Sequence, residues 1–406
     1  MPTSHCKYRG FNVYGPYKDT PQHVSKPAQA GVNQYTIVDC ARTAAKMDSN
    51  IIRVTVNWGS FQPNPGLNGF DLSFLNQFKL LINAGRAARG NNNLMLLPVI
   101  TGTPLWIGQD PAWMATHEND FYKRDSNGNF VLDQYGQRIR VAATYVTTEE
   151  GYSAYGYACA VLLSQLAGYA NFIELSNEPN GPRSEAGTNI PETHYGRMAA
   201  YAISWVDSCF NATTPQRAVL VGSLAPPRST NVDWITRATD AMYEVLREDI
   251  APPLSVPETF TRLANSWRLS FHPYPAWQED NWQTAIDQTA AFIDDLSGRF
   301  PNKVWITEVS VSSHKLSSGE PPSSGELRQG LYYVRLMASV IPERPKIEGL
   351  VYWPLTDAEP NAWDPSDNNF YKMGCIRPNN LLSNGDIDYK PAGAVAASFF
   401  ANTQWG

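Results

Sequence analysis

Two glutamates stand where a reaction could use them. In "NFIELSNEPNGP", residues 171 to 182, an apolar strand-like run meets Asn177, Glu178 and Pro179. Proline brings no ladder donor, so it ends the strand and leaves Asn177 and Glu178 at its mouth. In "KVWITEVS", residues 303 to 310, Glu308 closes a second apolar run in the same way. Each alone fits a salt bridge or a solvated strand end. Two carboxylates over one opening suit cleavage of a glycosidic bond with retention: one attacks the anomeric carbon, the other protonates the leaving oxygen and later activates water. Retention needs the carboxyl groups about 5 to 5.5 Å apart, inversion ~6.5 to 9.5 Å.

The elements that must position them read as a repeating pattern. Apolar β-type runs fall at 8–14, 51–56, 94–100, 171–175, 219–223, 267–271, 303–307 and 347–353. Helical periodicity follows them at 38–47, 72–88, 152–166, 196–210, 234–246, 285–296, 326–340 and 391–402. Eight strands alternating with eight helices predict an α/β fold, a closed (β/α)8 TIM barrel in a single domain over residues 1–406. Strands buried on both faces explain why the runs are apolar throughout rather than alternating. A doubly wound sheet would carry a Gly-rich first turn, and "RGFNVYGPYKD" contains no G-x-G-x-x-G. In a barrel the ends of strands four and seven face one another across the mouth. Long loops after strands three (101–149) and eight (356–391) lie on that same face. The first carries Trp106, Trp113, Phe121, Tyr122 and Tyr135, an aromatic content at odds with disorder.

Several further segments resemble one known group. "NEP" after strand four with a Glu ending strand seven is similar to the large clan of retaining (β/α)8 glycoside hydrolases, families 5 and 39 above all. "IIRVTVNW" resembles the clan's strand two, which implies Arg53 beneath the nucleophile and Trp58 near a sugar subsite. "FHPYP" resembles its strand-six His-x-Tyr, giving His272 and Tyr274, and "VYWPL" supplies the strand-eight Trp353. "RPNNLLSNGDIDYKPAG" is similar to the usual lead into the last helix. "GTPLW" resembles the strand-three end of family 39, with an apolar wall where family 5 commonly has His. The resemblance implies Glu308 as nucleophile and Glu178 as acid/base. Arg53 and Tyr274 would hold Glu308 ionised, Asn177 would bind the sugar 2-hydroxyl, and His272 would lie at or under the site. Glu174 and Ser176 share the strand parity of Glu178, and Glu174 reads as an internal hydrogen-bonding partner.

Trp58, Trp106, Trp113, Trp277 and Trp353 are the candidate sugar platforms, because sugar C–H faces stack on aromatic rings. The aromatic supply and long loops lead to an expectation of internal cleavage of a β-linked polysaccharide. An exo-β-glycosidase on oligosaccharides or glycoconjugates is the alternative, and a non-catalytic carbohydrate-binding barrel is a remote one. The net charge of −6, with Lys and Arg scattered, offers nucleic acid and anionic lipid no attracting field. No apolar run reaches the roughly 20 residues that span a bilayer. His5, His23, His117, His194, His272 and His314 lack metal-ligand spacing, so neither metal nor cofactor is expected. The chain is expected to act as a monomer on a β-linked sugar. Five cysteines allow one or two disulfides, and "FNATT" offers Asn211 as a glycosylation acceptor. The low charged fraction, 17%, tilts the expectation toward secretion, with the cytoplasm as the alternative.

Overall fold

The barrel follows from one parity. In a strand alternate side chains share a face, and on most strands the inward set is apolar low down and polar at the top; Arg268, level with Leu220, is an exception and pairs with Glu348. Tyr8, Ile51, Leu97, Phe172, Ala218, Leu220, Trp305 and Val351 form a separate apolar cluster that plugs the base. Two or more residues further along the same inward rows stand Asn12, Arg53, Glu174 and Thr307. The outward rows face the helices and join the large main core.

A computed structural model describes residues 3–4, 6–13, 37–90, 93–125, 127–141, 143–181, 190–210, 217–225, 231–247, 262–264, 266–275, 281–311, 313, 322–353, 355, 375–381, 387–402 and 404–405. Eight parallel strands close on themselves in chain order: β1 (Tyr8–Asn12), β2 (Ile51–Asn57), β3 (Met95–Thr101), β4 (Phe172–Leu175), β5 (Ala218–Leu224), β6 (Trp267–Phe271), β7 (Val304–Ile306) and β8 (Ile347–Tyr352). Register sets the heights: Arg53 lies beside Asn12 on one side and Leu97 on the other, and Glu174 lies between Val99 and Leu220.

The helices are α1 (Ile37–Lys46), α2 (Asn76–Arg89), α3 (Glu149–Gln165), α4 (Glu192–Phe210), α5 (Asn231–Arg247), α6 (Trp282–Arg299), α7 (Pro322–Arg335) and α8 (Pro391–Asn402). One parallel barrel in a single domain, as the alternation predicts, is the result. Ends differ where capping decides them. The Thr148 side chain accepts from the Gly151 N–H, so α3 begins three residues before its apolar periodicity does. The expected helix over 72–88 is a short 3-10 turn, Leu72–Leu75, capped by Asp71, that runs into α2. Gly90, at φ 72°, ends α2 in the left-handed conformation that glycine adopts cheaply.

The loop after β3 carries local structure over its described residues. It contains two short helices, Pro111–Thr116 and Glu118–Phe121, and antiparallel bridges pairing Tyr122 with Arg140, Arg124 with Phe130 and Leu132 with Arg138. Most of the long loop after β8 lies outside the described residues, as do Trp277 and Asn211. All five cysteines are free, which corrects the allowance for disulfides. Among the described residues no helix is long and apolar enough to cross a membrane.

Candidate active site

Arg53 is the floor of the site. It projects from β2 into the barrel, 3% exposed, and each guanidinium nitrogen is engaged. Nε donates to Glu174 Oε2 at 2.5 Å, and Nη1 donates to Glu308 Oε1 at 2.5 Å and Asn12 Oδ1 at 2.7 Å. Nη2 donates to Asn177 Oδ1 at 2.8 Å and to Ser223 Oγ at 3.2 Å. These are as many bonds as arginine has N–H donors. Burial pulls its pKa down, but Glu174 and Glu308 outweigh burial and the net shift is upward. Asn12 is itself held by donating to the carbonyls of Thr307 and Tyr352.

The two strand-four carboxylates have different surroundings. Glu174 is fully buried beneath the mouth, its Oε1 accepting from the Thr307 hydroxyl at 2.7 Å and its Oε2 from Arg53. Glu178 is raised to the mouth by a kinked backbone: Ser176 and Glu178 have φ of 63° and 45°, the left-handed region that costs a non-glycine residue ~1 kcal/mol or more. Such conformations persist where the surroundings over-determine them, and here the Glu178 N–H is tied to the Ser223 carbonyl at 2.9 Å. The Glu178 side chain is 12% exposed and that of Glu308 10%.

β6 supplies the rest. The Tyr274 hydroxyl donates to Glu308 Oε2 at 2.9 Å. Burial first, then Glu308 and Glu178, push the Tyr274 pKa well up, so it stays a donor at neutral pH. His272 is fully buried, with Nδ1 2.9 Å from Glu178 Oε1 and 3.6 Å from Glu308 Oε2, and Nε2 3.3 Å from Ser223 Oγ. Burial pushes its pKa down to about 4; Glu308 and Glu174 oppose that, and Arg53 adds to it. The imidazole is therefore neutral at pH 7.

One atom each of Glu178, His272 and Glu308 lie within 4.8 Å of one another. The two carboxylates thus approach closely over one opening, as the retaining arrangement requires. Those three side chains are ligand types, but Arg53 and Tyr274 already occupy Glu308, and the guanidinium supplies the positive charge a metal would bring.

The structure thus gathers six of the sequence-derived residues in one cluster: Arg53, Asn177, Glu178, His272, Tyr274 and Glu308. The tryptophans divide. Trp353 follows β8 and stands perpendicular to Tyr274, the residue that donates to Glu308, with ring centres 6.4 Å apart. Trp58 is corrected: it is fully buried, its indole N–H donating to Gln62 Oε1 and its ring edge-on to Trp106 and Tyr155. No face of it is open to a sugar. Trp106 is half-buried, donating to the Gln62 carbonyl. Trp113 lies flat on His117 at 3.9 Å and donates to the Tyr145 hydroxyl, so one of its faces is already covered. Asn12, Ser223 and Thr307 join the site from positions that sequence reasoning does not single out. Their only signal is a polar residue near the top of an otherwise apolar strand.

No family model matches the chain, and no curated protein does. Solved structures do match. A family 39 glycoside hydrolase from the gut symbiont Bacteroides cellulosilyticus WH2 superposes with a TM-score of 0.55 at 15% identity, over 96% of this chain and 63% of that one. The exo-β-1,4-mannosidase of Opitutaceae bacterium strain TAV5 gives 0.54 at 15% identity, over 99% and 60%. A GH5_18 protein of Streptomyces cattleya, in complex with Manβ1-4GlcNAc, gives 0.57 at 14% identity, over 97% and 80%. The chain spans about three fifths of the length of the first two. The barrel resembles those of families 5 and 39, as the motifs implied. The expectation of internal cleavage of a polysaccharide is overturned: among these similar structures stand an exo-acting mannosidase and a protein holding a disaccharide.

Proposed function

We propose that this protein is a retaining exo-β-glycosidase acting on short β-linked oligosaccharides or glycoconjugates. The observation that carries the reading is the convergence of Glu178 and Glu308, with ligand atoms within 4.8 Å of each other over one opening. Glu308 attacks the anomeric carbon while Glu178 gives its proton to the departing oxygen. Water, deprotonated by Glu178, then releases the sugar from Glu308. Arg53 and Tyr274 each donate to one oxygen of Glu308, which fixes its aim. Asn177, its carbonyl oxygen accepting from Arg53, has its amide flip set so that the NH2 end is the donor to a sugar hydroxyl. Glu174 is a poor candidate for the acid, since Arg53 and Thr307 take both its oxygens below the mouth.

β-Mannosyl disaccharides are the first probes, because two of the similar structures concern β-mannosides. Product chromatography from the earliest time points should show monosaccharide alone, in the β configuration by NMR. A ladder of oligomers from a polymer, or a first product of inverted configuration, would refute the reading.

A further inference from the structure

Ser223 has no place in the mechanism so far, yet it touches three of its parts. It lies at the end of β5, fully buried, with φ 45°. Its carbonyl accepts the Glu178 N–H, and its own N–H donates to Ser270 Oγ at 2.8 Å. Its hydroxyl lies between Arg53 Nη2 at 3.2 Å and His272 Nε2 at 3.3 Å. Arg53 can only donate, so it takes a lone pair of Ser223 Oγ. The hydroxyl proton can then point to His272 Nε2, an arrangement in which that nitrogen is the acceptor and the ring proton sits on Nδ1.

The other edge of the ring reaches the same answer. Nδ1 faces Glu178 Oε1 and Glu308 Oε2, both oxygens of carboxyl groups. A bare lone pair there would meet the oxygens of the ionised Glu308, whereas an N–H is attracted by them. The charged and titratable groups around the ring are Arg53 on β2, Glu174 and Glu178 on and after β4, Tyr274 after β6 and Glu308 after β7.

We propose that Ser223 is a positioning residue: by linking Arg53 to His272 it holds the imidazole as the Nδ1–H tautomer, which donates to Glu178 Oε1 and leaves Oε2 to carry the catalytic proton. This rests on the reading of Glu178 as acid/base. In the first step Oε2 passes its proton to the glycosidic oxygen, which departs with the bonding pair. In the second Oε2 recovers a proton from the attacking water. The Nδ1–H bond strengthens Glu178 as an acid by favouring the carboxylate it becomes. The imidazole stays neutral throughout the pH range above about 4, so it relays orientation rather than a charge of its own.

The test uses 15N-histidine NMR and kinetics on the full chain. The sequence has six histidines, and the His272 signals are assigned by their loss in His272→Gln. The wild type should show Nδ1 protonated and Nε2 as a hydrogen-bonded acceptor. Ser223→Gly removes the hydroxyl while suiting the left-handed backbone, and Ser223→Ala repeats the test with a β-carbon in place. In both, the Nε2 resonance should move to that of an acceptor without a donor. Turnover of a substrate with a poor leaving group should fall about tenfold, the scale of one hydrogen bond to a charged centre. Its alkaline limb should move to higher pH. The first step with an activated aryl glycoside, which needs no proton, should lose clearly less. A His272 carrying its proton on Nε2, unmoved resonances in the variants, or equal losses on both substrates would overturn the proposal. The NMR arm needs no substrate, so its failure is distinct from failure of the glycosidase reading.

Discussion

Replacing Glu174 with glutamine separates the two strand-four carboxylates by role. In the wild type Glu174 Oε2 accepts from Arg53 Nε at 2.5 Å and Oε1 from Thr307 Oγ1 at 2.7 Å, with no exposure to solvent. Glutamine keeps one oxygen for Arg53, and its NH2 must face Thr307, whose hydroxyl can turn to accept. One charge-assisted bond becomes neutral, a loss of roughly 1.5 to 3 kcal/mol in similar cases. Against that, a buried carboxylate no longer has to be desolvated. Arg53 is then balanced by Glu308 alone, one positive charge against one negative. The net expectation is a destabilisation of about 1 to 2 kcal/mol, read from urea unfolding at pH 7. Turnover of a substrate with a poor leaving group should fall by no more than about tenfold, because the proton donor is untouched. Glu178→Gln should lose ~10² to 10⁴-fold on the same substrate. If Glu174→Gln shows the larger loss, and Glu174→Ala recovers turnover of an aryl glycoside on adding azide, then Glu174 is the acid/base and the burial argument is wrong.

Two further predictions concern stability and substrate contact. The His272 pKa is lowered from an ordinary 6.5 to about 4, with burial the main cause. The unfolded chain therefore binds the proton first, and stability should fall as pH drops from 6.5 to about 4, by ~3 kcal/mol from this residue. Urea midpoints across that window should show the slope, and His272→Gln should flatten it; an unchanged slope would contradict the assignment. His194, also lowered to about 4, leaves a residual slope in the variant. Trp58→Ala should cost about 3 to 5 kcal/mol of stability, as a core deletion does. Trp353→Ala should cost much less stability but raise KM for the disaccharide by about tenfold or more, by steady-state kinetics. The reverse pattern would restore Trp58 as the sugar platform.

What the sequence made legible follows the physics of each feature. Strands covered on both faces leave long apolar runs, and eight of these with intervening helical periodicity leave little choice but the closed barrel. Glu178 and Glu308 stood out because each breaks an apolar run at its end. Parity already placed Glu174 inside the barrel, where it binds Arg53. Trp58 misled because a tryptophan after strand two looks the same in sequence whether its ring turns to the mouth or to the helices. Here it turns toward Tyr155 on α3. Ser223 and Asn12 were invisible for a different reason. Their roles come from a partner 170 residues away for Ser223 and 41 for Asn12, through the guanidinium of Arg53. Local pattern carries no trace of that contact. Aromatic content does not report the cutting mode, because it counts rings without saying which are exposed.

In the proposed double displacement Glu308 forms a covalent bond to the sugar while Glu178 manages the proton. This division of roles is tested most directly by trapping that bond with a 2-deoxy-2-fluoro-β-glycosyl fluoride of the sugar the enzyme releases. The 2-fluorine slows both steps and the fluoride leaving group restores the first, so the glycosyl-enzyme accumulates, and peptide mass mapping locates it. One labelled peptide is expected, with the sugar on Glu308. A label on Glu178 or Glu174, or an enzyme that turns over the disaccharide yet never takes the label and gives an inverted product, would contradict it.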